Sequence, residues 1–160
     1  MDSLKKISKF IKKLTEVNHT LAVAESCTGG YISNMITNIS GASHIFERGI
    51  ICYSNESKIQ LLNVNPKILE KEGAVSESVA RQLAMNIRIL SNTTIGISTT
   101  GIAGPTGGTL DKPVGLVYVG FSTEDKTIVK EYRLTTDRIS FKEKVFEIIL
   151  SLLEDYLKVI

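Results

Sequence analysis

A chain of 160 residues, 42% of them hydrophobic, is long enough to bury a core, too apolar for a disordered segment, and of the size of one domain. Nineteen basic against 17 acidic side chains leave a formal net charge of +2, which gives no general case for nucleic acid as a partner. Two cysteines, Cys27 and Cys52, stand far apart with no partner His at metal spacing; a disulfide scaffold is not expected and both read as buried thiols of a reducing compartment.

The opening stretch MDSLKKISKFIKKLTEV sets Leu4, Ile7, Phe10, Ile11, Leu14 and Val17 at helical spacing. Lys5, Lys6, Lys9, Lys12 and Lys13 fall mostly on the opposite face. Interleaved lysines are unlike the apolar run of a signal peptide. A first helix docked on its own domain is expected, with attachment to an acidic membrane surface as the other reading of the pattern. No apolar run approaches the ~20 residues of a membrane span, so the chain is expected in the cytoplasm, without a membrane partner.

TLAVA (20–24) reads as a buried strand, followed after Gly30 by a helix that SGAS (40–43) ends. RGIICYS (48–54) is a second strand, rich in β-branched residues. A short helix is expected over 55–64 with Asn55 as N-cap, then another over NPKILEKEG with Pro66 near its start. Ser76 caps a clear helix, ESVARQLAMNIRIL, and TTIGIST (93–99) is the third strand. The stretch 100–115 is a long loop. Strands at 115–122 and 127–134 form a hairpin across TEDK, and Ser140 with Glu143 offers a capping box for the last helix. Alternation of strand and helix in the first half argues for parallel pairing, and the hairpin adds an antiparallel part. The expected fold is α/β: a three-layer α/β/α sandwich with a mixed, mostly parallel sheet, formed by one domain over 1–160.

In open α/β sheets ligands gather beyond the carboxyl ends of the strands. Three unusual segments follow strands here: ESCTGG (25–30), YSNESK (53–58) and TTGIAGPTGG (99–108). If the strands are parallel neighbours, all three meet at one edge. In the first, Ser26 or Cys27 is a candidate nucleophile at a strand-to-helix turn, although the G-x-S-x-G spacing is absent. A helix beginning near Thr28 would offer unpaired amides to an anion or an oxyanion, and Gly29 and Gly30 would let a ligand approach the backbone. The same residues also read as simple helix caps, Ser26 and Thr28 above all. A cysteine nucleophile usually needs a His, and neither His19 nor His44 lies in the three segments.

A serine needs a base, and Lys58 is the lysine that follows a strand end directly. As base it must be neutral at working pH, well below its usual ~10.4; otherwise it is a solvated charge. The glycine loop is neither a Walker A loop nor G-x-G-x-x-G, and reads either as a ligand cradle or as a long ordered turn. Thr99 and Thr100 end a strand and can offer hydroxyls. Arg138 is a candidate fork for phosphate or carboxylate, or a charge at a helix terminus.

Taken together, LAVAESCTGG, YSNESK, GAVSESVA, TGIAGPTGG and DKPVGLVYVG, in this order and spacing, resemble the CinA C-terminal-domain family, whose characterised members are nicotinamide-nucleotide amidohydrolases. The likeness runs from about Leu4 to the last helix, and the chain is expected to be the stand-alone form. The resemblance implies hydrolysis of the carboxamide of nicotinamide mononucleotide to nicotinic acid mononucleotide and ammonia. It implies a homo-oligomer, a dimer or higher, with a small nucleotide substrate and no cofactor or catalytic metal. It gives Ser26 as nucleophile and Lys58 as base, with Tyr53 and Thr100 at the site and Arg138 on the phosphate. Backbone at Cys27, Thr28, Gly29 and Gly30, or around Gly101 and Gly104, is expected to meet the oxyanion and the substrate. Departures from the family pattern are Arg48 before Gly49, GPTGG in the glycine run, and Thr136 in TDR. A nucleotide-binding regulatory module without chemistry, linked to competence or DNA damage, and an amidohydrolase of another nucleotide amide are the rival readings.

Overall fold

The computed structural model describes residues 2–160; Met1, where the expected domain begins, lies outside them. Five strands form one sheet in the order β2-β1-β3-β4-β5. They are β1 (Leu21–Glu25), β2 (Phe46–Ile51), β3 (Ile95–Gly101), β4 (Leu116–Ser122) and β5 (Thr127–Arg133). β1 runs parallel to both β2 and β3, and β3-β4 and β4-β5 are antiparallel. The expected α/β fold with a mixed sheet is what forms.

Six helices cover the sheet: α1 (Asp2–Glu16), α2 (Tyr31–Thr37), α3 (Asn55–Leu62), α4 (Pro66–Glu72), α5 (Glu77–Ser91) and α6 (Arg138–Leu157). The period-two alternation of β1 sorts them into layers. Leu21 and Val23 join a core with Ile7 and Leu14 of α1, Ile32 and Ile36 of α2 and Phe141 and Ile149 of α6. Ala22 and Ala24 face the other way, into a core with Leu62 of α3, Leu69 of α4 and Val79, Leu83 and Ile87 of α5. The middle of the α1 apolar stripe, Ile7, Phe10, Ile11 and Leu14, is buried in its own fold, as expected, while Leu4 and Val17 at its ends stay exposed. No helix among the described residues is long and apolar enough to cross a membrane.

Two glycines let α5 lie close on the sheet. A Cβ at Gly96 would stand 2.1 Å from the Ala84 carbonyl oxygen, and one at Gly120 would stand 2.7 Å from that of Ala80.

Element ends moved by about two residues. β2 stops at Ile51, so Cys52–Ser54 form a bend rather than strand, and β3 runs on to Gly101. Two caps differ from expectation. Ser54, not Asn55, caps α3: its extended backbone aims Oγ at Ser57 N, 3.0 Å away. Asp137, not the Ser140–Glu143 box, caps α6, accepting from the amides of Ile139 and Ser140. An aspartate ahead of the serine takes the cap, and the Ser140 hydroxyl donates to it as well. The result sets Arg138 on the first turn of α6.

Candidate active site

Parallel pairing of β1 with β2 and β3 brings the three segments together beyond one edge of the sheet. There they line a cavity of about 270 Å³ with residues from all of them: Ser26 and Cys27, Tyr53 and Lys58, and the run from Thr100 to Gly104 with Thr106 and Gly107. Ala74, Val75 and Arg138 complete the wall.

Ser26 is the first residue past β1, tied to β3 by its amide on the Thr99 carbonyl at 3.0 Å. Its hydroxyl meets Lys58, whose Nζ lies 3.0 Å from Ser26 Oγ. Lys58 sits on the first turn of α3 and is 1% exposed. Its amine turns back over the bend that precedes its own helix and donates to Cys52 O at 2.8 Å and Tyr53 O at 3.2 Å. No carboxylate is among these partners. Burial, the largest influence, lowers the Lys58 pKa from its usual value, and the neighbouring Cys52 and Cys27 push the other way. An uncharged amine has two hydrogens and one lone pair. In that form the two carbonyls would take both hydrogens and leave the lone pair to the serine hydroxyl, whereas the charged amine donates to all three oxygens.

Cys27, the other candidate nucleophile, is 6% exposed and packs in the core with α1, α2 and α6. Burial pushes its thiol up to about 12, outweighing a hydrogen bond with Thr99. A thiol held that high supplies almost no thiolate at neutral pH, so its sulfur is inert as a nucleophile. The second thiol, Cys52, is also buried, and burial raises its pKa too.

α2 begins at Tyr31, directly after Gly30 as expected and past the start near Thr28 that the anion-site reading supposed; its N-cap, Gly30, has φ +95° and no side chain to cap with. The helix start is filled instead by Glu25, the last residue of β1 and fully buried. Glu25 Oε2 accepts from Thr28 Oγ1, Gly30 N and Ile32 N, and Oε1 from Ser33 N and Ser33 Oγ, at 2.6–3.1 Å. The amide of Gly30 is therefore spent, and that of Gly29 goes to Ser26 O. Among the described residues no backbone carbonyl accepts from Cys27 N or Thr28 N. Thr28, Gly29 and Gly30 do not line the cavity; Cys27 does. Glu25 is the residue that sequence reasoning passed over. Its signal was a carboxylate on a short strand immediately before a glycine-started helix.

Thr100 reaches the cavity wall, but its hydroxyl donates to the Ala74 carbonyl at 2.7 Å, pinning the GAVSES segment to β3. Across the mouth, Arg138 donates through Nη1 to Gly104 O at 2.8 Å and through Nη2 to the Tyr53 hydroxyl at 3.0 Å. Gly101 and Gly104 line the cavity. Arg48 lies on the outer strand β2, exposed and outside the lining. His19 is bonded to Tyr156 through Nδ1 and enters β1 from the far end. Among the described residues no group of three or more His, Cys, Asp or Glu is arranged to hold a metal ion.

The fold and site together define an α/β domain with a buried serine–lysine pair at the carboxyl edge of its parallel strands. A family model described as the CinA C-terminal domain matches residues 4–157, and the chain belongs to that family. It is 50% identical over 147 residues to a Thermoanaerobacter pseudethanolicus protein whose name refers to competence-damage induction. That match takes in 92% of this chain and 36% of the relative; the chain spans about a third of the length of the curated relatives it matches. The crystal structure of a competence/damage inducible protein from Agrobacterium tumefaciens superposes with TM-score 0.94 at 32% identity, covering 99% of this chain and 96% of that one. A CinA superfamily structure from Klebsiella pneumoniae matches at TM-score 0.95 over both whole chains; at 24% identity it speaks for the fold alone.

Proposed function

We propose that the protein is an amidohydrolase that deamidates nicotinamide mononucleotide by a Ser26–Lys58 mechanism. The observation that carries the reading is the 3.0 Å approach of Lys58 Nζ to Ser26 Oγ by an amine that is buried and has no carboxylate partner. Neutral Lys58 takes the proton from Ser26 as its oxygen attacks the carboxamide carbon. The amide of Cys27, directly after the nucleophile, is the donor best sited for the oxyanion, in the manner of a nucleophile turn. Protonated Lys58 then delivers its proton to departing ammonia, and water cleaves the acyl-enzyme by the same base. The substrate is the part that rests on family resemblance. It fits a cavity whose mouth carries an arginine and a phenol at one end and the serine at the other. Binding energy at the phosphate end would orient the amide. A homo-oligomer in the cytoplasm goes with this reading.

Ammonia release on mixing with nicotinamide mononucleotide tests it, with nicotinamide riboside as the phosphate-free control. Wild type is expected to turn over the mononucleotide far faster than the riboside. Ser26→Ala is expected to be folded and inactive. Equal kcat/KM for the two substrates would sink the phosphate assignment, and full turnover by Ser26→Ala would sink the mechanism.

A further inference from the structure

Glu25 is a fully buried carboxylate beside the candidate nucleophile, and the mechanism above does not use it. It cannot act on substrate. Both of its oxygens are saturated by five donors from 28–33, and Glu25 is not part of the cavity wall. Thr28 gives its proton to Glu25, so the 2.8 Å contact between Thr28 and Thr99 runs with the Thr99 hydroxyl as donor. The carboxylate thus joins the end of β1, the turn, the start of α2 and the neighbouring strand β3. Gly49 of β2 leaves the room this needs: a Cβ there would lie 2.3 Å from Ser33 Oγ.

From this arrangement we propose that Glu25 is a positioning residue for catalysis: it draws the start of α2 onto the end of β1 and so fixes Ser26 Oγ against Lys58. The proposal rests on the reading of Ser26 as nucleophile. The amides of Gly30, Ile32 and Ser33 are consumed by Glu25, while those of Cys27 and Thr28 have no backbone acceptor. Glu25 and Lys58 share no hydrogen bond; the link between them is backbone, Glu25 O accepting from Cys52 N and Cys52 O from Lys58 Nζ. A substitution of the Glu25 side chain keeps that link, so removing the carboxylate should loosen the serine rather than the amine.

The test is the rate at which a fluorophosphonate probe modifies Ser26, which reads the activated serine without any natural substrate. It is measured across pH for wild type, Glu25→Gln, Glu25→Asp and Ser33→Ala, with thermal unfolding alongside. Glutamine keeps the shape but turns an NH₂ group onto amide donors. A folded Glu25→Gln protein is expected to react roughly 100-fold more slowly, the size of loss that a misplaced reacting group produces. The pH midpoint of its reaction should be unchanged, and on nicotinamide mononucleotide kcat should fall with little change in KM. Glu25→Asp, which restores the charge one methylene short, should recover part of the rate. Ser33→Ala removes one of the five bonds and should slow the reaction about 3-fold in a protein that folds normally, by the usual worth of one hydrogen bond. A folded Glu25→Gln protein reacting at the wild-type rate overturns the proposal, as does a shifted pH midpoint at an unchanged maximal rate. If Glu25→Gln does not fold, a wild-type rate for Ser33→Ala overturns it. A wild-type protein that neither reacts with the probe nor releases ammonia fails the nucleophile reading first, and the proposal with it.

Discussion

Two ionisable side chains are buried at the same sheet edge, and the fold treats them in opposite ways. Glu25 is surrounded by five hydrogen-bond donors on one short helix start. Lys58 has two carbonyls, a hydroxyl and no opposite charge. Burying an ion without a counter-charge costs several kcal/mol, and a titratable group escapes that cost by giving up its charge. On the proposed reading the carboxylate serves as a structural pin and the amine as a base, so that what marks the candidate catalytic group is not burial itself but burial without satisfaction of its charged form.

The sharpest way to break this contrast is to make position 58 permanently charged. Lys58→Arg keeps a positive charge and hydrogen-bond donors on a somewhat longer side chain but has no accessible neutral form. It is expected to lose at least ~10³ in kcat, in the range seen when a member of a serine triad is removed. Ammonia release by the purified variant measures it, and residual activity within tenfold of wild type would mean that Lys58 is not the base. The pH profile sharpens the same point. Because burial depresses the Lys58 pKa, activity of wild type should rise as pH climbs through that lowered value and then level off, below the ordinary lysine value of 10.5. The next effect belongs to the cavity mouth. Arg138→Ala removes the donor to Gly104 O and the Tyr53 hydroxyl. It should raise KM for the mononucleotide about 10- to 100-fold, the worth of one hydrogen bond to a charged group, and leave the riboside nearly unaffected. Parallel losses on both substrates would place Arg138 in loop support rather than phosphate binding.

Much of this contrast was legible before any coordinates. Residues that follow strands had to share an edge once the strands were parallel, so Ser26, Lys58 and Thr100 could be brought together on topology alone. Short-range chemistry was less legible. Ser54 and Asn55 are both good caps, and only the path of the chain leaving β2 selects the serine. The glycine pair after Thr28 looks like an open anion site because a sequence does not show that Glu25, five residues before Gly30, takes that amide and that Ser26 O takes the amide of Gly29. The orientation of Thr100 toward Ala74 depends on a contact 26 residues away, and Arg138 reaches Tyr53 across 85. Such pairings are set by packing of whole layers and leave no local pattern.

A smaller effect concerns stability. The folded-state pKa of Lys58 is lowered, so between that value and 10.5 the unfolded chain binds a proton that the folded chain does not. Unfolding free energy must then increase with pH across that window, and the destabilisation is full below the folded pKa. Lys58→Met removes the term while filling a similar volume. It should unfold at a temperature no lower than wild type at pH 7, with the gap closing toward pH 10.5. Thermal melts at a series of pH values measure it. A variant that is less stable at pH 7 and tracks wild type at every pH would show that the amine is held charged.

The smallest expected effect tests whether the edge of the sheet matters to the site as its centre does. Arg48, which the family resemblance set apart, stands on the outermost strand, exposed, with a 3.5 Å hydrogen bond to the Leu90 carbonyl. The registry puts it beside Ala22, three residues before Glu25 and four before the serine. Its backbone matters to β1, whereas its side chain points away from the wall formed by Ser26 and Lys58. Arg48→Ala should therefore leave kcat/KM for the mononucleotide within about twofold and shift stability by no more than ~0.5 kcal/mol, as surface substitutions do. A tenfold change in substrate preference in that variant would extend the functional surface from the cavity onto β2, and the contrast between a pinned turn and an unsatisfied amine would no longer contain the site.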